Sequence, residues 1–123
     1  MFRLDKKTVL ITGASGGIGG EIARTLHRAG ATVALSGTRV SPLQALSAEL
    51  GDRVHVLPCD LSDEDEVTAL PKQANEAMGS VDILINNAGV TRDNLLMRMS
   101  DDEWASVLAI NLTSTMRLCK GVL

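Results

Sequence analysis

A glycine-rich turn between an apolar run and an amphipathic segment constrains this chain most. The turn is Thr12-Gly13-Ala14-Ser15-Gly16-Gly17-Ile18-Gly19, and it directly follows Val9-Leu10-Ile11. A buried strand that enters a glycine turn and then a helix places unpaired backbone N–H groups and the positive end of the helix dipole at one point. An anionic pyrophosphate is the natural ligand there. The glycines are spaced GxxxGxG, at Gly13, Gly17 and Gly19, which differs from the GxGxxG of the best-known dinucleotide fingerprint.

The rest of the chain repeats this alternation of strand and helix. Apolar runs predict strands over Lys7–Thr12, Thr32–Ser36, Val54–Leu57 and Val81–Ile85, and a helical pattern follows each of them. The alternation predicts the α/β class with a Rossmann-like, doubly wound parallel sheet. The 123 residues hold about four β/α units of it, so we expect the N-terminal portion of a single dinucleotide-binding domain. Pro71, inside the third helical pattern, predicts a kink or break near Ala69-Leu70.

Composition and charge argue against several classes of binding partner and site. The net charge is −3 without a basic cluster, which argues against nucleic acid, and no apolar run approaches the length of a membrane span. The N-terminus lacks the apolar region of a signal peptide, so we expect a cytoplasmic protein. Cys59 and Cys119 have no metal-ligand spacing and are expected to be small buried hydrophobic residues. His27 and His55 stand alone in the sequence, so surface or hydrogen-bonded histidines are expected rather than a metal or catalytic site.

Two further loops follow predicted strands. Gly37, Thr38 and Arg39 follow the second strand, where an NAD enzyme usually carries a carboxylate, and this favours NADP. The alternative is that Arg39 is a solvated loop residue. After the fourth strand, Asn86 is expected to tie its loop to the first strand around Thr12, and Asn87 to contact the cofactor.

Asn111 falls on the apolar stripe of the last helical pattern, which begins with a capping box at Ser100 and carries Trp104 and Leu118. Taken alone, Asn111 is a core amide with satisfied hydrogen bonds.

Together these residues resemble the short-chain dehydrogenase/reductase family. The glycine turn is similar to its cofactor turn, Asp60-Leu61 to its adenine contact, Asn86-Asn87-Ala88-Gly89 to its second signature, and Asn111 to its helix asparagine. The stretch from Asn86 to Asn111 is more narrowly similar to the 3-oxoacyl-(acyl-carrier-protein) reductases of bacterial fatty-acid synthesis. This resemblance covers essentially the whole chain.

The resemblance implies NADPH-dependent reduction of a 3-oxoacyl-(acyl-carrier-protein) thioester to the 3-hydroxyacyl product, by a homotetramer. Asn111 would fill the catalytic proton-relay position. The residues that would bind NADP(H) are Gly13, Ser15, Gly16, Gly17, Ile18 and Gly19 in the turn, Thr38 and Arg39 at the 2'-phosphate, Asp60 and Leu61 at adenine, and Asn87, Ala88 and Gly89 at the nicotinamide ribose. Gly16 departs from the pattern, because many NADP-using relatives carry arginine there.

The larger departure is that the sequence has no tyrosine, whereas the family uses a tyrosine as its catalytic acid within a YxxxK motif. The 123 residues alone are therefore expected to be inactive. They are also expected to be poorly folded, because in the family the helix near Leu123 belongs to a subunit-packing surface, which would leave apolar area exposed. The expected enzyme is the complete protein, of which this chain is the N-terminal part. The alternatives are a noncatalytic, truncated dinucleotide-binding fragment, or a short-chain reductase that acts on another ketone or alcohol.

Overall fold

The computed structural model describes residues 3–87, 100–102, 105 and 112–123. Its strands are β1 (Thr8–Ile11), β2 (Thr32–Leu35), β3 (Val54–Val56) and β4 (Ile83–Ile85). Its helices are α1 (Gly17–Arg28), α2 (Val40–Leu50), α3 (Glu64–Met78) and α4 (Ser114–Val122). The described strands form one parallel sheet in the order β3-β2-β1-β4. The predicted α/β fold with a Rossmann-like sheet is confirmed.

Strand β1 is the centre of this sheet because it pairs with β2 on one side and β4 on the other. Its residues Val9, Leu10 and Ile11 are completely buried. Side chains alternate across a strand, so Val9 and Ile11 pack on one face of the sheet and Leu10 on the other. This explains why β1 is a continuous apolar run rather than an alternating one.

Each face of the sheet carries its own hydrophobic core. Helices α1 and α2 cover the first face, through side chains such as Ala23 and Leu43. Helices α3 and α4 cover the second, where Leu70 and Leu118 are buried. The helices on both faces leave the carboxyl ends of the strands open at one edge, which is where ligands bind in such sheets.

Helix α3 begins at a well-formed cap. The carboxylate of Asp63 accepts hydrogen bonds from the backbone N–H groups of Asp65 and Glu66, at 3.0 and 3.2 Å. The first turn carries Glu64, Asp65 and Glu66, whose charges favour the positive end of the helix dipole. Helix α3 therefore begins at Glu64, directly after the Asp63 cap.

The predicted break at Pro71 is wrong. Helix α3 continues from Glu64 to Met78, and Pro71 is buried inside it. A Cβ atom on Gly121 would lie 2.5 Å from Cγ of Pro71, so the proline ring packs directly against the glycine of α4. Tertiary packing of this kind overrides the unfavourable helix propensity of proline, and the prediction of a break rested on that propensity alone.

Smaller differences concern single residues and boundaries. Cys59 is buried as predicted, but Cys119 is exposed. Helix α2 begins at Val40, with Arg39 at the N-cap position. The strands are one or two residues shorter than predicted, which is the usual uncertainty at element ends. Nε2 of His27 donates a 2.7 Å hydrogen bond to the carbonyl of Asp52, as expected of a satisfied histidine.

Of the helices in the described residues, none has both the length and the apolar character that crossing a bilayer requires.

The Asp63 cap gives a test of the fold. We expect Asp63→Ala to lower the free energy of unfolding by about 1 kcal/mol, because two N–H groups lose their acceptor. Asp63→Asn is the matched control, since it removes the charge but keeps a capping oxygen, and it should change stability by less than about 0.5 kcal/mol. Urea denaturation of the complete protein measures the free energy of unfolding of both variants. Equal losses in the two variants would assign the effect to charge and contradict the capping role.

Candidate functional site

A cavity of about 430 Å³ opens at the carboxyl ends of β1, β2 and β3. The glycine turn forms its floor, and the segments that follow β2, β3 and β4 form its sides. Its lining residues are Thr12, Gly13, Ser15, Gly16, Gly17, Ile18, Ser36, Gly37, Thr38, Arg39, Cys59, Asp60, Leu61 and Asn87. A ligand in this cavity would touch all the loops that the sequence analysis singled out.

The turn presents the start of α1 to the cavity. Gly13 has φ of +67°, a conformation that favours glycine, and its carbonyl accepts a 3.2 Å hydrogen bond from the Gly16 N–H. Within the described residues, the N–H groups of Gly17, Ile18 and Gly19 have no hydrogen-bond acceptor. Together with the helix dipole, these N–H groups make the start of α1 a suitable end for binding an anion. Ile18 is 74% exposed, so this end of the helix is open to solvent.

Two glycines allow the turn to pack this closely. A Cβ atom on Gly19 would overlap the carbonyl oxygen of Gly13 and lie 2.7 Å from Nδ2 of Asn87. A Cβ atom on Gly37 would lie 2.8 Å from Oγ of Ser15. Gly19 is therefore behind the turn, where it supports the cavity without lining it, while Gly37 brings the end of β2 against the turn.

The loop after β4 is anchored by a different asparagine from the one expected. Asn87, not Asn86, ties this loop to the first strand: its N–H donates to Oγ1 of Thr12 at 3.2 Å, and its Nδ2 donates to the carbonyl of Gly13 at 3.2 Å. Asn86 is exposed and its Nδ2 lies 3.6 Å from Sγ of Cys119. The chain leaves β4 with Asn87 facing inward, a direction that residue type does not reveal. Asn87 also lines the cavity.

Arg39 lies over the glycine turn. Its Nη2 donates a 3.0 Å hydrogen bond to the carbonyl of Ser15, although the residue is exposed. A backbone hydrogen bond from Ala14 to the carbonyl of Ser36, 2.9 Å long, joins the same two segments. The guanidinium is thus held at the rim of the cavity beside Thr38, instead of pointing away from the turn as a solvated loop arginine would.

The wall that follows β3 carries an ionised carboxylate beside a neutral thiol. Oδ1 of Asp60 accepts hydrogen bonds from Oγ and N–H of Ser62, at 2.6 and 2.9 Å, and these bonds hold the pKa of the carboxyl below its usual range. Burial, reinforced by Glu66, Asp60 and Asp63, raises the pKa of the Cys59 thiol to about 12. Cys59 is therefore a neutral apolar wall at physiological pH, while Asp60 is a hydrogen-bond acceptor.

The structure brings most of the predicted residues together. Those that line the cavity are Gly13, Ser15, Gly16, Gly17, Ile18, Thr38, Arg39, Asp60, Leu61 and Asn87. Gly19 lies behind it, and Ala88, Gly89 and Asn111 lie outside the described residues. Sequence reasoning did not select Thr12, Ser36 and Cys59 as site residues, although each sits at or just beyond a predicted strand end, and that position was the available signal.

Comparison with known proteins gives one consistent result. The family model described as short chain dehydrogenase matches residues 7–123. Nodulation protein G of Rhizobium sp. (strain N33) is 55% identical over 98% of this chain and 49% of its own length. The 3-oxoacyl-[acyl-carrier-protein] reductase of Vibrio harveyi is 46% identical over 98% of this chain and 49% of its own length.

A solved short-chain dehydrogenase/reductase from Brucella melitensis, titled a glucose/ribitol dehydrogenase, has the same fold. It superposes with a TM-score of 0.93 at 33% identity, over 98% of this chain and 52% of that one. The chain thus spans about half the length of the relatives it matches. The family model matches residues 7–123, and the glycine turn and the parallel sheet agree with it, so the chain belongs to the short-chain dehydrogenase/reductase family.

Proposed function

We propose that the protein containing this chain reduces 3-oxoacyl-(acyl-carrier-protein) to 3-hydroxyacyl-(acyl-carrier-protein) with NADPH, as part of fatty-acid synthesis. Residues 1–123 would be the N-terminal portion of its single NADP-binding domain. The observation that carries the proposal is the cavity at the carboxyl edge of the sheet, where the anion-binding turn meets a cation and no carboxylate at the end of β2. The reductase names of relatives with 44–46% identity support the substrate class.

The described residues fit a nicotinamide dinucleotide. The pyrophosphate would lie against the free N–H groups of Gly17, Ile18 and Gly19, in a turn whose close packing leaves no room for side chains at Gly19 and Gly37. Because β2 and β3 lie to one side of β1 and β4 to the other, the two halves of the ligand would extend in opposite directions from the turn.

The residues divide between these two halves. Thr38, Arg39, Asp60 and Leu61 would contact the adenosine half, and Asn87, with Ala88 and Gly89, the nicotinamide ribose. The dinucleotide supplies hydride when bound. The chain's own part is to bind and orient it.

The cofactor preference rests on the charge at the end of β2. Arg39 offers a cation to a 2'-phosphate, and Thr38 offers a hydroxyl, whereas an NAD enzyme would place a carboxylate here to accept from the ribose hydroxyls. Gly16 provides no second cation. Arg39 would therefore carry most of the discrimination between NADPH and NADH.

The remaining elements of the proposal follow the family. Asn111 would hold the proton-relay position, while the catalytic tyrosine and lysine would come from another part of the complete protein, because this sequence contains no tyrosine. We further propose a cytoplasmic homotetramer. A reductase of another ketone is the second candidate, since two relatives are named nodulation protein G and the solved neighbour is titled a glucose/ribitol dehydrogenase.

Turnover tests the reaction. The complete protein should oxidise NADPH when an acetoacetyl thioester is added, and faster with the acyl-carrier-protein thioester than with a simple ketone. Absorbance at the NADPH band follows the reaction, and the 123-residue chain assayed alone should give no turnover. A complete protein that oxidises NADPH only with other ketones would refute the substrate, and one that never oxidises it would refute the reductase.

Cofactor preference is tested at Arg39. We expect Arg39→Ala to weaken NADPH binding by roughly tenfold to a hundredfold, because a charge-assisted contact of about 1.5–3 kcal/mol is lost, and to change NADH binding far less. Arg28→Ala is the matched control, because Arg28 is exposed at the opposite end of α1. Fluorescence titration measures both dissociation constants. Equal losses for NADPH and NADH would contradict the assignment.

The glycine cradle is tested by a pair of alanine substitutions in one helix. Gly19→Ala should lower the free energy of unfolding by about 1–3 kcal/mol and weaken NADPH at least about tenfold, because the new methyl group displaces the Gly13 carbonyl. Gly17→Ala should preserve stability, since a Cβ there meets no atom within 4 Å. Urea denaturation and NADPH titration of the complete protein measure the free energy of unfolding and the dissociation constant of each variant. Equal free energies of unfolding in the two variants would contradict the role of the close approach between Gly19 and the Gly13 carbonyl.

A further inference from the structure

The segment from Cys59 to Asp63 forms the wall of the cavity beyond β3, and hydrogen bonds from several elements hold it. The N–H of Cys59 donates to the carbonyl of Gly37 at 3.0 Å, which joins it to the end of β2. The N–H of Asp60 donates to Oε1 of Glu66 at 3.3 Å, which joins it to α3. Asp60 accepts from Ser62 as described above. Every one of these bonds lies within the half of the fold that precedes β4.

Leu61 is held differently, from a helix far along the chain. Its carbonyl accepts a hydrogen bond from Oγ of Ser114, 53 residues away in the first turn of α4. Ser114 is 1% exposed, so solvent cannot replace this donor if it is removed. This hydrogen bond connects α4 to the lining of the cavity.

The surrounding contacts fix α4 relative to this wall. Leu118, one turn beyond Ser114, is completely buried in the cluster that includes Cys59, and Leu61 packs against the same cluster. On the side toward α3, Nη2 of Arg117 lies 3.2 Å from Oε1 of Glu64. The Arg117 contact therefore joins α4 to α3, whereas the Ser114 contact joins it to the ligand cavity.

We propose that Ser114 is a positioning residue for the adenosine half of the cofactor, acting through the backbone of Leu61. The inference rests on the proposed function only in that the cavity binds a dinucleotide. In the sheet order, Leu61 belongs to the side of β2 and β3, so Ser114 positions the adenosine half and not the nicotinamide half. The second helical layer thereby contributes to affinity for a ligand it does not touch.

Binding of NADPH and of two fragments of its adenosine half, 2',5'-ADP and 5'-AMP, to the complete protein tests the proposal. We expect Ser114→Ala to raise all three dissociation constants by the same factor, about three- to tenfold, which corresponds to the loss of one hydrogen bond. Ser114→Cys, similar in size but a weaker donor, should act in the same direction. Ser114→Thr, which keeps the hydroxyl, should remain within about twofold of the wild type.

Arg117→Ala is the matched control, because it loosens α4 from α3 without changing the donor to Leu61, and it should leave the three constants within about twofold. Thermal unfolding of each variant reports general destabilisation separately. The proposal is overturned if Arg117→Ala weakens binding as much as Ser114→Ala does. It is also overturned if Ser114→Ala raises the dissociation constant of NADPH but not those of the two fragments. A third contradicting result is that neither Ser114→Ala nor Ser114→Cys weakens binding.

The wild-type titrations keep this proposal distinct from the proposed function. Equal affinity of the wild type for 2',5'-ADP and 5'-AMP would refute the NADP preference and leave the role of Ser114 to be decided by the variants with 5'-AMP. A wild type that binds none of the three ligands would refute both.

Discussion

The contact between Gly19 and the carbonyl of Gly13 is the constraint on which the site depends. Because neither residue has a side chain, α1 can begin directly against the end of β1, and the first N–H groups of the helix face the cavity. Asn87 then closes the arrangement by donating to the same Gly13 carbonyl from the loop after β4. The end of β1, the start of α1 and the distant loop after β4 therefore meet at one carbonyl group, and the pairing of β1 with β4 makes this possible.

The two faces of the sheet contribute differently to the site. The face covered by α1 and α2 provides the turn and the segment with Thr38 and Arg39. The face covered by α3 and α4 provides the wall with Asp60 and Leu61, and buries the side chain of Cys59. A ligand that lies along the edge of the sheet contacts segments supported by both cores, so its binding depends on the packing of all four described helices.

The sequence predicted the fold well because its signals were local and strong. The apolar run at Val9-Leu10-Ile11 and the glycines after it require a buried strand followed by a tight turn. It predicted a break at Pro71 wrongly, because the proline packs against Gly121 of α4, 50 residues along the chain, inside a continuous helix. The expected burial of Cys119 was wrong as well, since this residue is exposed. Asn86 and Asn87 are identical in type, so only the direction of the chain after β4 could assign their contacts. The Ser114 contact with Leu61 had no sequence signal at all.

Arg39 has a consequence for attempts to redesign cofactor preference. The side chain that is proposed to contact a 2'-phosphate also supports the turn, because it donates to the carbonyl of Ser15. Replacing it with an aspartate to suit NAD would remove both the cation and the donor to Ser15, so the turn itself would lose support. Specificity and architecture are linked at this residue, and an exchange of one dinucleotide for the other would need a second substitution that restores a donor to Ser15.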